Sequence, residues 1–143
     1  MISSSLKDVV IGLASVGVAK YNTDFASNSI VRITTVAGGD GYGSTADKLY
    51  GPQSVFVDLE GNTYIGDVNN NRIQKWAPGA TEGVTVANGY AHGIFVDIAG
   101  NIYGADSNNQ QILKWTPGNT VGQIVAGGNG YGPGANQLWY PRD

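Results

Sequence analysis

The segment SVFVDLEGNTYIGDVNNNRIQKWAPGATEGVTVAN (Ser54–Asn88) returns 39 residues later, without a gap, as GIFVDIAGNIYGADSNNQQILKWTPGNTVGQIVAG (Gly93–Gly127). A tandem repeat of this period constrains the fold strongly, because each copy is one supersecondary unit that must bury its faces against neighbours. A weaker copy comes first. YNTDFASNSIVRI (Tyr21–Ile33) aligns with YIGDVNNNRIQKW (Tyr64–Trp76) and YGADSNNQQILKW (Tyr103–Trp115), with Tyr, Asp, Ile and a basic residue in register.

Each full copy reads as four short antiparallel strands. The first is Val55–Asp58 or Ile94–Asp97, and a Gly-Asn turn follows, supplying the positive φ that a tight hairpin needs. The second is Thr63–Asp67 or Ile102–Asp106, closed by the Asn-rich turns VNNN and SNNQ. The third is Arg72–Trp76 or Gln111–Trp115, and APGA or TPGN leads into the fourth, Val84–Ala87 or Gln123–Ala126. Four short strands in roughly 40 residues are the signature of a propeller blade. The predicted fold class is therefore all-β, a single domain over 1–143, with blades at 8–39, 54–88 and 93–127 and connectors at 40–53, 89–92 and 128–143.

The stretches VFVDLEGNTYIGDVNNNRIQKW and IFVDIAGNIYGADSNNQQILKW resemble the NHL repeat, whose pattern runs strand, Asp, Gly-Asn, Tyr, Ala-Asp, Asn-Asn, Arg-Ile. The likeness spans Ser54–Gly127 and, more loosely, Tyr21–Gly39. Gly66 stands where that pattern has Ala, and Gln111 where it has Arg. The first copy lacks the APGATEG hairpin, which predicts a blade short of one outer strand or rebuilt by the N-terminal arm. The resemblance implies a β-propeller, usually of six blades, acting as an interaction module.

AGGDGYGSTADKLYGPQS (Ala37–Ser54) and AGGNGYGPGANQLWYPRD (Ala126–Asp143) align residue for residue, whereas ANGYAHG (Ala87–Gly93) is much shorter. After Ser54 an inner strand begins, and the sequence given stops at Asp143. LKD (Leu6–Asp8) followed by VVIG resembles the continuation. The expectation is a half-propeller whose two copies join head to tail into a homodimer of six blades. A piece of a longer protein is the alternative.

Eight Lys and Arg against eleven Asp and Glu give a net charge of -3, which argues against nucleic acid as a partner. With no cysteine there is no disulfide, thiol nucleophile or thiolate metal site. The apolar run Val9–Ala19 is too short to span a bilayer, and Asp8 beside Lys7 spoils the cationic flank of a signal peptide. It reads as two short strands, with a signal peptide as the alternative, and no membrane partner is expected.

The glycine-rich connectors lack the Lys-Ser/Thr ending of a phosphate loop and are read as structural. Asp58, Asp97, Asp67 and Asp106 sit beside turn residues and are read as turn caps, not as a calcium loop. The recurring Tyr21, Tyr64, Tyr103, Trp76 and Trp115 are read as packing. Gln53, His92 and Arg142 share one place, just before an inner strand. With Tyr50, Tyr90, Trp139 and Tyr140 nearby they form the candidate binding face, at the mouth of the expected channel. His92 is the only histidine, so no catalytic or metal residues are assigned. No cofactor is called for; calcium or another divalent ion in the channel belongs to the alternative reading, a lyase or lactonase of propeller type. The favoured function is a non-catalytic scaffold binding a protein or small ligand, with a truncated propeller lacking any specific ligand as a further alternative.

Overall fold

The computed structural model describes residues 8–14, 17–22 and 32–143. Among the described residues, all regular structure is β apart from a single 3-10 turn at Val68–Asn70. Three antiparallel sheets follow one another along the chain. The first holds β1 (Asp8–Ala14), β2 (Gly17–Asn22) and β3 (Arg32–Gly38). The second holds β4 (Pro52–Val57), β5 (Thr63–Asp67), β6 (Arg72–Trp76) and β7 (Val84–Asn88). The third holds β8 (Ile94–Val96), β9 (Ile102–Asp106), β10 (Gln111–Trp115) and β11 (Gln123–Gly127). Strand order follows chain order in each sheet. β1 lies against β4, and β4 against β8, so the sheets meet along their first strands. Among the described residues, no helix is long and apolar enough to cross a membrane.

The second and third strands of both full repeats fall where the sequence places them. β4 begins three residues early, at Pro52, because a bulge between Pro52 and Ser54 lets it keep pairing with β5. β8 stops at Val96, one residue short of Asp97. The apolar N-terminal run supplies β1 and the start of β2. The first sheet has three strands, as the missing hairpin predicts: β3 pairs directly with β2 and runs on through Val36 and Ala37, which align with fourth-strand residues. Its register also differs, since Tyr21 pairs with Ile33 whereas Tyr64 pairs with Lys75, one place before Trp76. The aligned Asp24 and Ile30 lie outside the described residues.

Two apolar seams hold the sheets together. Ala37, Leu49, Ile65 and Trp76 fill the first, between the first and second sheets. Tyr64, Ile73, Ala87, Ala91, Val96, Ile102 and Trp115 fill the second, between the second and third. Each large side chain so buried contributes roughly 1.5–3 kcal/mol. Trp115 is wholly buried, its ring over Gly104 and Gly122; a Cβ at either would stand 2.8 Å from it. Trp76 uses Gly83 in the same way.

The long connector before β4 is tied down by polar groups of the β5–β6 turn. The Asp67 carboxylate, fully buried, accepts from Tyr50 N (2.6 Å), Asn70 Nδ2 (2.8 Å) and Arg72 Nε (2.8 Å). The Arg72 guanidinium goes on to the carbonyls of Ser44 (2.8 Å), Thr45 (3.0 Å) and Lys48 (2.9 Å). In the third sheet Gln111 takes this place and, among the described residues, its side chain bonds only Asp106, at 2.9 Å. The connector before β8 is short, so there is no loop for a longer side chain to hold. Among the described residues, no buried side-chain nitrogen or oxygen lacks a partner.

One face separates the last two sheets. Ile73 and Ala87 are 0% exposed beneath the third sheet, while Ile112 and Ala126, at the same places of the repeat, are half-buried and exposed. Val125 and Phe95 on this outer sheet are 50% and 56% exposed.

Candidate functional site

The first-to-second strand turns build a site at one end of the inner strands. Asp58 organises its turn: Oδ1 accepts from Glu60 N (3.0 Å) and Asn62 N (2.8 Å), and Oδ2 from Asn62 Nδ2 (2.8 Å) and Tyr64 Oη (3.3 Å). Asp97 repeats this with Ala99 N (3.0 Å), Asn101 N (2.9 Å), Asn101 Nδ2 (2.8 Å) and Tyr103 Oη (3.3 Å). Gly61 and Gly100 close the turns at φ 84° and 80°, a region glycine enters without strain. With the aspartate turned inward, the next side chain points out. Leu59 and Ile98, at equivalent places, are therefore both fully exposed.

Between these turns lies a groove of about 740 Å³. Phe56 and Phe95 meet edge to face at 5.6 Å on its wall, and Phe56 meets Tyr64 at 6.5 Å. Val57, Leu59, Val96 and Ile98 extend the apolar lining. Three acidic residues, Asp58, Glu60 and Asp97, line it with one lysine, Lys75, whose Nζ sits 5.2 Å from the Tyr64 ring centroid. The surface is apolar, aromatic and net negative. It suits a side chain that is both greasy and cationic.

The Asp58 carboxyl is raised by burial, but the bonds from Asn62, Glu60 and Tyr64 outweigh this and hold it below its ordinary value. For Asp97 the Asn101 side-chain bond leads, and the net direction is again down. A carboxyl depressed in the folded state stabilises the fold above its unfolded pKa, about 3.9 for Asp. That contribution disappears as pH falls through the lowered folded value. The melting temperature is thus expected to fall in acid below about pH 4, and this acid limb is expected to be shallower in Asp58→Asn/Asp97→Asn. An unchanged limb in the double variant, measured by thermal melts across pH, would contradict the assignment.

The residues singled out from the sequence sit at the opposite end of the inner strands. Tyr90 stacks on His92 (6.2 Å, 14°), and His92 Nδ1 pairs with Ser107 Oγ at 2.9 Å. The Arg142 backbone runs against Gly93, where its carbonyl fills the space a Cβ would need. Gln53 is exposed on β4, and Ser54 beside it bonds the Ala91 carbonyl at 3.3 Å. Gln53, His92 and Arg142 thus lie on neighbouring segments. Tyr50 and Trp139 each pair within their own connector, with Tyr42 (5.4 Å) and Tyr131 (5.9 Å). Tyr140 takes a left-handed φ of 46°, its amide bonded to Gln110 Oε1 at 2.6 Å. Among the described residues, no three His, Cys, Asp or Glu side chains are placed to hold a metal.

The groove itself was not singled out from sequence. Its signal was an aliphatic residue in the middle of both tight turns, DLEGN and DIAGN, where turn chemistry favours a polar one. No family model matches this sequence, and neither does any curated protein.

Proposed function

We propose that the chain is a non-catalytic β-propeller module of the NHL type, and that it binds an extended segment of a partner protein in the groove between the β4–β5 and β8–β9 turns. The observation that carries this is the pair Leu59 and Ile98, fully exposed at equivalent places beside an aromatic, acid-rimmed groove. Exposed aliphatics clustered with aromatics mark an interaction surface. A random-peptide display selection against the chain tests it. Peptides pairing a large apolar residue with Lys or Arg are expected to be enriched on the chain and lost on Leu59→Ser/Ile98→Ser. Both residues are fully exposed, so the variant is expected to keep its stability within about 0.5 kcal/mol. Enrichment of the same peptides on both proteins, or of none on either, overturns the reading.

The same proposal includes assembly. The outer face of the β8–β11 sheet presents Phe95, Ile112 and Val125 where the middle sheet is covered by a further sheet of the same kind. A second copy closes that face, and two copies related by a two-fold axis bring six sheets into one ring. Light scattering is expected to give twice the chain mass. A folded protein at one chain mass overturns the assembly.

A further inference from the structure

The two long connectors have similar backbones, though among the described residues the Gly43 N to Leu49 O bond of the first has no counterpart in the second. Tyr42 bridges Leu49, and Tyr131 bridges Leu138, both in parallel. The turn bond Lys48 N to Thr45 O (3.2 Å) recurs as Gln137 N to Gly134 O (2.9 Å). In the first connector this backbone receives an arginine: the carbonyls of Ser44, Thr45 and Lys48 converge on the Arg72 guanidinium, and Gly43 O accepts from Asn70 Nδ2 at 2.7 Å. Their counterparts in the second connector are the carbonyls of Pro133, Gly134, Gln137 and Gly132. Among the described residues, no side-chain donor reaches any of these four.

We propose that the connector Gly128–Tyr140 is a seat for the guanidinium of an arginine side chain carried by a partner protein. Three carbonyls spaced for Arg72 match the planar fork of a guanidinium, which donates in several fixed directions at once. An ammonium is a compact, strongly hydrated point charge and cannot reach all three in this geometry. The seat borders the uncovered face of the third sheet, so an arginine placed there comes from whatever packs on that face or beside it. The first repeat carries Ser27 and Ser29 at the sequence places of Asn70 and Arg72, so the repeat pattern of a second copy carries no arginine at that place. The inference therefore goes beyond the assembly proposed above and does not depend on it.

The test is a titration of the whole chain with N-acetyl-arginine amide, followed by backbone amide shifts, with N-acetyl-lysine amide as the comparison. Saturable shifts confined to residues 131–140 are expected with the arginine compound in the millimolar range, and none with the lysine compound. In Arg72→Ala the first connector loses its own guanidinium, so residues 42–50 are expected to respond to arginine as well. Equal response to both compounds, or no saturable response at 131–140, overturns the proposal. If Arg72→Ala does not fold, the result on the unmodified chain decides alone. Because the readout needs no association, a single chain mass in light scattering sinks the assembly and leaves the seat standing, and the converse also holds.

Discussion

Replacing Asp67 by Ala is expected to destabilise the chain by about 3–5 kcal/mol, the range seen when one partner of a buried ion pair is removed. The carboxylate is fully buried and the Arg72 side chain only 12% exposed. Without Asp67 the guanidinium keeps its charge and its three carbonyl contacts but loses the group that neutralises it. Tyr50 N and Asn70 Nδ2 lose their acceptor at the same time. Asp106 is the internal comparison. Its donors, the Asn108 and Asn109 amides, Asn109 Nδ2 and Gln111 Nε2, are all neutral. Asp106→Ala is therefore expected to cost only about 1–3 kcal/mol, the penalty of unmet neutral hydrogen bonds. Urea midpoints of the two variants decide the matter. Equal losses would show that the charge on Arg72 is already compensated by solvent and the connector carbonyls.

Trp115→Ala is expected to cost about 3–5 kcal/mol. The ring is wholly buried in the seam between the second and third sheets, and its Nε1 donates to the Asn88 carbonyl at 3.2 Å. Glycines at 89, 104 and 122 line the slot it fills, and they bring no side chains of their own to occupy the hole. The seam also depends on the slot staying narrow: Gly122→Ala puts a Cβ 2.8 Å from the ring and is expected to cost about 1–3 kcal/mol by overpacking. Denaturant melts give the totals, and hydrogen exchange gives the location. Trp115→Ala is expected to lose protection first in β8–β11, before β4–β7, because β4–β7 keeps its second seam around Trp76. Simultaneous loss in both sheets would mean that the two seams form one cooperative unit.

Much of the architecture was legible from the repeat because the features that encode it are local. Gly-Asn turns, Asn-rich turns and Pro-Gly turns punctuate the chain, and the second and third strands of both full repeats lie where those turns place them. The missing Pro-Gly hairpin announced a first sheet of three strands. Register was less legible. The bulge that extends β4 back to Pro52 and the one-residue offset of Tyr21 come from how neighbouring strands settle against each other, which no turn residue announces.

The candidate site was legible only in part. Grouping Gln53, His92 and Arg142 followed from their shared place before an inner strand, and the chain does run them on neighbouring segments. Tyr50 and Trp139, placed beside them from sequence, each have an aromatic partner inside their own connector. Gln111, in sequence a departure from the arginine of the preceding repeat, makes sense once the short connector before β8 is seen. Side-chain length here tracks the length of a loop that the strand itself does not contain.

By itself the sequence determined the repeat, the number and direction of strands in each full copy, and the turn role of Asp58, Asp97 and Asp106, since these are settled within about a dozen residues of chain. Asp67, read from sequence as a turn cap, makes no side-chain cap bond and instead ties Tyr50 and Arg72 together. Only the tertiary structure decided which apolar residues are core and which are surface. Ile73 and Ile112 occupy the same place in the same motif, yet one is sealed and the other half-open, because burial depends on whether another sheet lies over the position. It also decided that Phe56 and Phe95 make one groove wall and that Arg72 reaches across to hold a loop more than twenty residues away. Contacts between distant segments arise from how sheets stack, and the pattern within a single repeat carries no record of that stacking.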